Sequence, residues 1–398
     1  MVSIPKVLLA LFILGVNSAL AGTIVVQGAN SAALQSAIDQ SKTQPGSCVL
    51  IPAGSAIHID ANVALDFNNA CLVGEGITSV LVNDGGTILA KGPQTSGFCY
   101  GFAGSEGDTS ISYSSSCGFQ PGQYLLINAL STNPMQQVAQ INSVSGGTLN
   151  LSTALAFNVD PSMRIQAVDM LSGIRVGNFA IVQGTANYLT KPLSATNIID
   201  SEFYNLIVTG VPSAGFKADT GYRNRFHDMT FRSVGTNPYN GDFDLFRQTG
   251  AQVSNIESYD SNGFGPELIS VQFSNVNNLQ AVHSVGRGFK LLGSNYNTLT
   301  NITINNCGVP GLYTGILIQS SNRNTLSQCH SIHNARGIDL ETGSSYNRIS
   351  NCILRFNIVD DIEANGPTYN PPSSDYNSFT NVEYQVRYSS GFGNTFSP

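Results

Sequence analysis

The chain has 398 residues, of which only 11% are charged, with 40 glycines, no tryptophan and a net charge of −7. That acidic balance argues against nucleic acid or an anionic membrane as a partner. The length is large for one globular core but suits an architecture whose core grows coil by coil.

The first residues combine Lys6, an apolar run over residues 7–16 and Ala19-Leu20-Ala21. This is the pattern of a secretory signal peptide, with cleavage expected before Gly22 and residues 22–398 as the mature domain. The apolar run is too short to span a bilayer. The expected product is soluble, secreted and extracellular, where disulfides persist. Cys99 and Cys117 flank a Gly/Ser-rich loop and are expected to pair, and Cys48 with Cys71 is a second candidate pair. Cys329 and Cys352 occupy the same place in neighbouring coils, about 4.8 Å apart. Either a disulfide or a stacked pair of buried thiols fits there. Cys307 is left free, and no Cys-x-x-Cys suggests zinc.

Residues 23–26 read as a strand. Asn30 or Ser31 can cap a short helix over residues 32–40, with Ala33, Leu34, Ala37 and Ile38 on one face. A solenoid exposes an apolar end, and such a helix would cover it. Leu50-Ile51-Pro52-Ala53-Gly54 and Val73-Gly74-Glu75-Gly76 follow. With the helix segment Leu34-Gln35-Ser36-Ala37-Ile38-Asp39, these resemble the N-terminal cap and first coils of the pectate-lyase superfamily. The resemblance implies an all-β, single-domain right-handed parallel β-helix with a capping helix. It also implies an extracellular polysaccharide as partner. It is more specific for fold than for chemistry, because that superfamily holds lyases, hydrolases, epimerases and non-catalytic proteins.

Residues 95–170 break the rhythm and read as a β insertion on the helix. Residues 124–127, 138–144 and 148–151 look like antiparallel strands, with Ser145-Gly146-Gly147 as a hairpin turn. From Ile174 the coils resume. The phrase Asn-x-apolar-x-Asn/Asp recurs at Asn224, Asn297, Asn347 and Asn377, a period in the range of about 20–50 residues that marks repeat architectures. Asparagine tolerates left-handed corners and its amide bonds along a stack, so these residues are expected to be structural.

In the superfamily this chain resembles, substrate lies along the sheet whose strands read Gly-Ile-x-Leu. Alternate side chains point in and out of a strand. Alternation gives an outward row of Lys217, Asp244, Ser270, Lys290, Leu317, Asp339 and Asp361, with Gln319 beside it. Asp339, Glu341, Asp361 and Glu363 would form a two-by-two carboxylate patch, a set of oxygens that calcium favours. Lys290, Arg287, Arg336 and His333 are the candidate catalytic residues. Tyr313, Lys217, Asp244 and Gln319 are the candidates for substrate binding, and Tyr239 and Tyr369 lie in long turns suited to stacking on sugars.

Three readings follow. A lyase would use Lys290 as base and Arg287 or Arg336 on the carboxylate of a uronate, with calcium on the acidic patch. A glycoside hydrolase would use the same carboxylates as acid and base or nucleophile. Gly337-Ile338-Asp339 and Asp360-Asp361-Ile362 faintly resemble polygalacturonase strands, but Asn334-Ala335-Arg336 replaces that family's Asn-Thr-Asp. The third reading is a non-catalytic glycan-binding protein.

Overall fold

A computed structural model describes residues 22–93, 97–113, 117–128, 134–186, 190–235, 241–308, 313–364, 373–385, 387–389 and 391–397. The signal-peptide expectation and Tyr239 and Tyr369 fall outside these residues. Two long parallel sheets, of 15 and 12 strands, run the length of the molecule, and a 6-stranded antiparallel sheet branches from it. Among the described residues, no helix is long and apolar enough to cross a membrane.

Each coil contributes one strand to each long sheet. In the first sheet Thr298–Asn305 pairs in parallel with Thr325–Ile332, which pairs with Arg348–Arg355. In the second, Ile316, Ile338 and Ile362 stand in register, all fully buried. Phenylalanines stack between coils in the same way, Phe203 on Phe226 at 5.7 Å and Phe216 on Phe243 at 5.6 Å. Each such side chain removed from water contributes about 1.5–3 kcal/mol.

The recurring phrase resolves into two asparagine columns. Its first asparagine is buried: Asn297, Asn324, Asn347 and Asn377 each pass an amide hydrogen bond to the next, at 3.0–3.1 Å, and the ladder ends on Asn394. Its fifth residue takes the left-handed corner, as at Asn301 (φ 58°) and Asn351 (φ 54°). That outer column is also laddered, with Asn278 bonded to Asn255 at 2.9 Å and Asn301 to Asn278 at 3.1 Å. The two expected duties of asparagine are thus divided between two positions.

The helix spans Ser31–Lys42 and buries Leu34, Ala37 and Ile38. Asn30 is its N-cap, accepting from the Ala33 amide at 3.0 Å. The Ser31 hydroxyl instead receives the amides of Asp60 and Ala61, at 2.9 and 3.0 Å, and ties the cap to the first coils.

The insertion contains the strands Tyr124–Ile127, Gln137–Ser145 and Thr148–Leu151. It has its own small core, around Phe102, Ile111, Leu125, Ile141 and Leu149. It docks on the coils where Thr249 receives the Val138 amide at 3.1 Å and Gln272 donates to the Gln136 carbonyl at 3.0 Å. Disulfides join Cys48 to Cys71, Cys99 to Cys117 and Cys329 to Cys352, and Cys307 is free and buried. For Cys329 and Cys352 the disulfide, rather than a pair of thiols, is what forms.

Candidate active site

The second sheet carries one row of outward side chains that is almost wholly charged. Its register runs Lys217, Asp244, Glu267, Lys290, Leu317, Asp339, Glu363. Successive members belong to strands about 4.8 Å apart. Two of the expected members are corrected. Glu267, and not Ser270, faces Asp244 and Lys290. Glu363, and not Asp361, faces Asp339.

Both corrections have one cause. Two residues before each row member, where the chain passes from the corner into the second sheet, is a closely packed position occupied by Gly215, Gly265, Gly288, Gly315 and Gly337. A Cβ on Gly315 would lie 2.5 Å from the Ser331 hydroxyl oxygen, and one on Gly337 would lie 2.3 Å from the Asp361 carbonyl. Asp242 and Asp361 occupy the same column and point into the corner. Asp361 accepts from the Asn357 side chain at 2.7 Å and from the Gln385 amide at 2.6 Å. Asp242 is fully buried and accepts from the hydroxyls of Ser258 and Ser261. Burial raises its carboxyl to about 7 against those two donors. Aligning the corner column finds Glu267 from sequence, through Gly265-Pro266-Glu267; aligning by charge alone misses it.

The row holds two acidic groups. In the first, Asp244 and Glu267 are 5% and 4% exposed. Burial, and then the charge of Glu267, push the Asp244 carboxyl well above its usual range. Burial also raises Glu267, with Lys290 opposing. The Lys290 ammonium stands 3.3 Å from Glu267 Oε1, so Lys290 is the counter-ion of that carboxylate. Asp244 Oδ1 has no hydrogen-bond partner among the described residues. Lys217 on the other side lies 4.0 Å above the Phe246 ring. Lys191 adjoins it, and desolvation, with Lys217 nearby, lowers its pKa. Arg247 is held by both oxygens of Asp219 at 2.6 Å. Arg287 packs over Phe264 and Tyr313, at 5.1 and 5.6 Å from the ring centres, and forms an aromatic-lined rim.

In the second group Asp339 is fully buried. Burial, then the charges of Glu341 and Glu363, raise its carboxyl to about 9 against the opposing charge of Arg336. Arg336 bridges Glu363 at 2.7 Å and approaches Asp339 at 3.7 Å. Gln319 donates to Glu341 at 3.2 Å. The expected calcium set does not form a cage here. Asp361 is turned into the corner, Arg336 already neutralises Glu363, and among the described residues no three His, Cys, Asp or Glu side chains converge on one point. His333 sits apart on a left-handed corner (φ 56°), stacked on Phe356 at 5.3 Å.

Both groups combine a buried carboxyl, its pKa raised by desolvation, with a neighbouring cation. Only the first sets two carboxyls in facing positions with a lysine on each flank, an arrangement that can give a proton and hold a charge.

Residues 245–398 match the family model described as right handed beta helix region. No curated protein matches the sequence. Among solved structures, the chain is similar to the tailspike protein gp49 from Pseudomonas phage LKA1, with 14% identity over 92% of this chain and 77% of that one, at a TM-score of 0.45. It is also similar to the A-module of the mannuronan C-5 epimerase AlgE6 from Azotobacter vinelandii, with 12% identity over 94% and 97%, at 0.45. A third is the catalytic domain of a GH87 alpha-1,3-glucanase in complex with nigerose, with 10% identity over 100% and 70%, at 0.45. Likeness at this level concerns the fold alone.

Proposed function

We propose that this right-handed parallel β-helix is a secreted enzyme that cleaves a polysaccharide by acid–base chemistry at Asp244 and Glu267. The observation that carries the reading is the buried, facing pair with Lys290 on Glu267 and no hydrogen bond on Asp244 Oδ1. Asp244 holds the proton and acts as general acid towards the glycosidic oxygen. Glu267, charged and balanced by Lys290, faces the forming positive charge at the anomeric carbon. The adjacent-coil spacing of about 4.8 Å is near the roughly 5–5.5 Å separation of carboxyls in retaining glycosidases and short of the roughly 6.5–9.5 Å in inverting ones. Lys217, Phe246, Arg287 and Tyr313 would bind the flanking sugars.

The second reading is β-elimination on a uronate polymer. The cations Lys290, Lys217 and Arg287 beside the carboxyl pair favour it, since they could neutralise a sugar carboxylate. Incubation with acidic and neutral polysaccharides separates the two. New reducing ends without unsaturated-uronate absorbance indicate hydrolysis; absorbance indicates elimination, and its loss with a chelator would implicate calcium. If no glycan is cleaved, the non-catalytic reading stands; if Asp244→Asn is as active as wild type, the proposed site is wrong.

A further inference from the structure

At the corner that leads from the second sheet into the first, one position per coil forms an outer column of flat side chains. It runs Phe273, Tyr296, Arg323, Tyr346 and Tyr376. Phe273 stacks on Tyr296 at 5.0 Å and Tyr346 on Tyr376 at 5.2 Å, with interplanar angles of 15° and 8°. Arg323 lies between them, 5.8 Å from the Tyr296 ring and 5.0 Å from Tyr346. Every member from Phe273 to Tyr376 has a left-handed backbone, with φ between 51° and 60°. Bulky side chains in that conformation are uncommon and strained, so the column is maintained against a local cost.

Stacking covers the ring faces and leaves the edges outward, and the edge is the positive end of an aromatic quadrupole. The edges of Tyr296, Tyr346 and Tyr376 line a concavity of about 500 Å³. The charged residues in its lining are Arg323 and Arg348, and no carboxylate lines it. That is unusual on a chain of net charge −7. Arg323 is anchored to Glu106 of the insertion at 2.7 Å. Arg348 is exposed and makes no ion pair among the described residues. A second concavity, of about 310 Å³, shares Arg323 and Tyr346 and runs against the insertion.

We infer that this corner is a second binding site, remote from the carboxyl row, for the anionic groups of an acidic polysaccharide chain. Arg348 binds the carboxylate or sulfate, and the ring edges and phenol hydroxyls of Tyr346 and Tyr376 contact the sugar. The site would hold a long substrate on the protein without taking part in its cleavage. It goes beyond the active-site reading and does not depend on it, because binding can be measured without turnover.

The test is calorimetric titration of full-length Asp244→Asn protein with alginate (carboxylated), heparin (sulfated) and dextran (neutral). Binding of alginate or heparin, but not dextran, is expected, and which one binds identifies the anion. Adding Arg348→Gln should weaken that binding about tenfold, the effect of one charge-assisted hydrogen bond of about 1.4 kcal/mol. Arg348→Lys should restore part of it, and added salt should weaken it. Tyr376→Phe keeps the stack and should cost less than Tyr376→Ala. In protein with Asp244 intact, Arg348→Gln should leave cleavage of short oligosaccharides unchanged. Binding that is indifferent to Arg348→Gln, equal for dextran, or absent for both charged chains would overturn the proposal. Absence of cleavage by protein with Asp244 intact, with binding retained, would count against the Asp244/Glu267 reading alone.

Discussion

Asp339 offers a sharp test of the electrostatics of the carboxyl row. Its carboxyl is fully buried and raised from its ordinary 3.8 to about 9. Between pH 5 and pH 8 it is therefore protonated in the folded protein and ionised in the unfolded chain. The folded state binds the extra proton, so stability is greatest at low pH and falls as pH rises. The slope is about 1.4 kcal/mol per pH unit, or about 4 kcal/mol over three units. Asn in place of Asp339 keeps the shape and removes the titration. The difference in stability, Asp339→Asn minus wild type, should then grow by about 4 kcal/mol from pH 5 to pH 8. With unfolding entropy near 2.1 cal/mol/K per residue, that is about 5 °C in melting temperature for a chain of this size. Scanning calorimetry of both proteins at pH 5, 6.5 and 8 would measure it. Taking the difference cancels other titrating groups, including Asp242. Melting curves that keep a constant separation across this range would show that Asp339 is ionised against Arg336, and the argument from burial would fail.

At the proposed reacting pair, Asp244→Asn and Glu267→Gln should each lower the cleavage rate by about 10²–10⁴ while leaving the far-ultraviolet circular dichroism unchanged. Proton NMR of the first product formed should show retention at the anomeric carbon, and inversion would exclude direct attack by Glu267. Asn324→Ala removes bonds to the Ser294 carbonyl at 2.8 Å and to Asn347 at 3.0 Å, and the acceptor of the Asn297 amide at 2.9 Å. Leaving those buried groups unpaired should cost about 2–4 kcal/mol, read by urea titration, whereas Asn301→Ala on the exposed outer column should cost under about 1 kcal/mol. The Cys329–Cys352 bridge closes a separation of 23 residues. Its replacement by two serines should cost about 3 kcal/mol on the loop-entropy model, and equal stability of both forms would mean that the stack alone holds these coils.

Much of the fold was legible because solenoid coils write the same physics repeatedly. Buried Ile and Leu at alternate positions, and Asn at fixed corners, indicated a parallel stack with a helical cap and a β insertion. The helix face and the Cys99–Cys117 pair were also readable and Cys48–Cys71 was a candidate, since each depends on local spacing, whereas stacking in neighbouring coils left Cys329 and Cys352 open between a disulfide and two thiols. The outward row was legible only in part. Lys217, Asp244, Lys290, Leu317 and Asp339 are placed by alternation within a strand. Ser270 and Asp361 were misassigned because alternation does not fix where a strand begins, and charge is a poor marker of register. Arg336 lies against Glu363 and Asp339, whereas His333 is carried to another corner.

The sequence by itself determined the coil. Which side chains are buried and which asparagines turn depends on neighbours a few residues away and recurs in every repeat. Only the tertiary structure decided the site. Asp244 and Glu267 are 23 residues apart in the chain, and neither is unusual within its own strand. They become a coupled pair because the corner column sets the register between coils and because stacking buries both. Burial then changes their protonation, through a desolvation energy that no local stretch of sequence records.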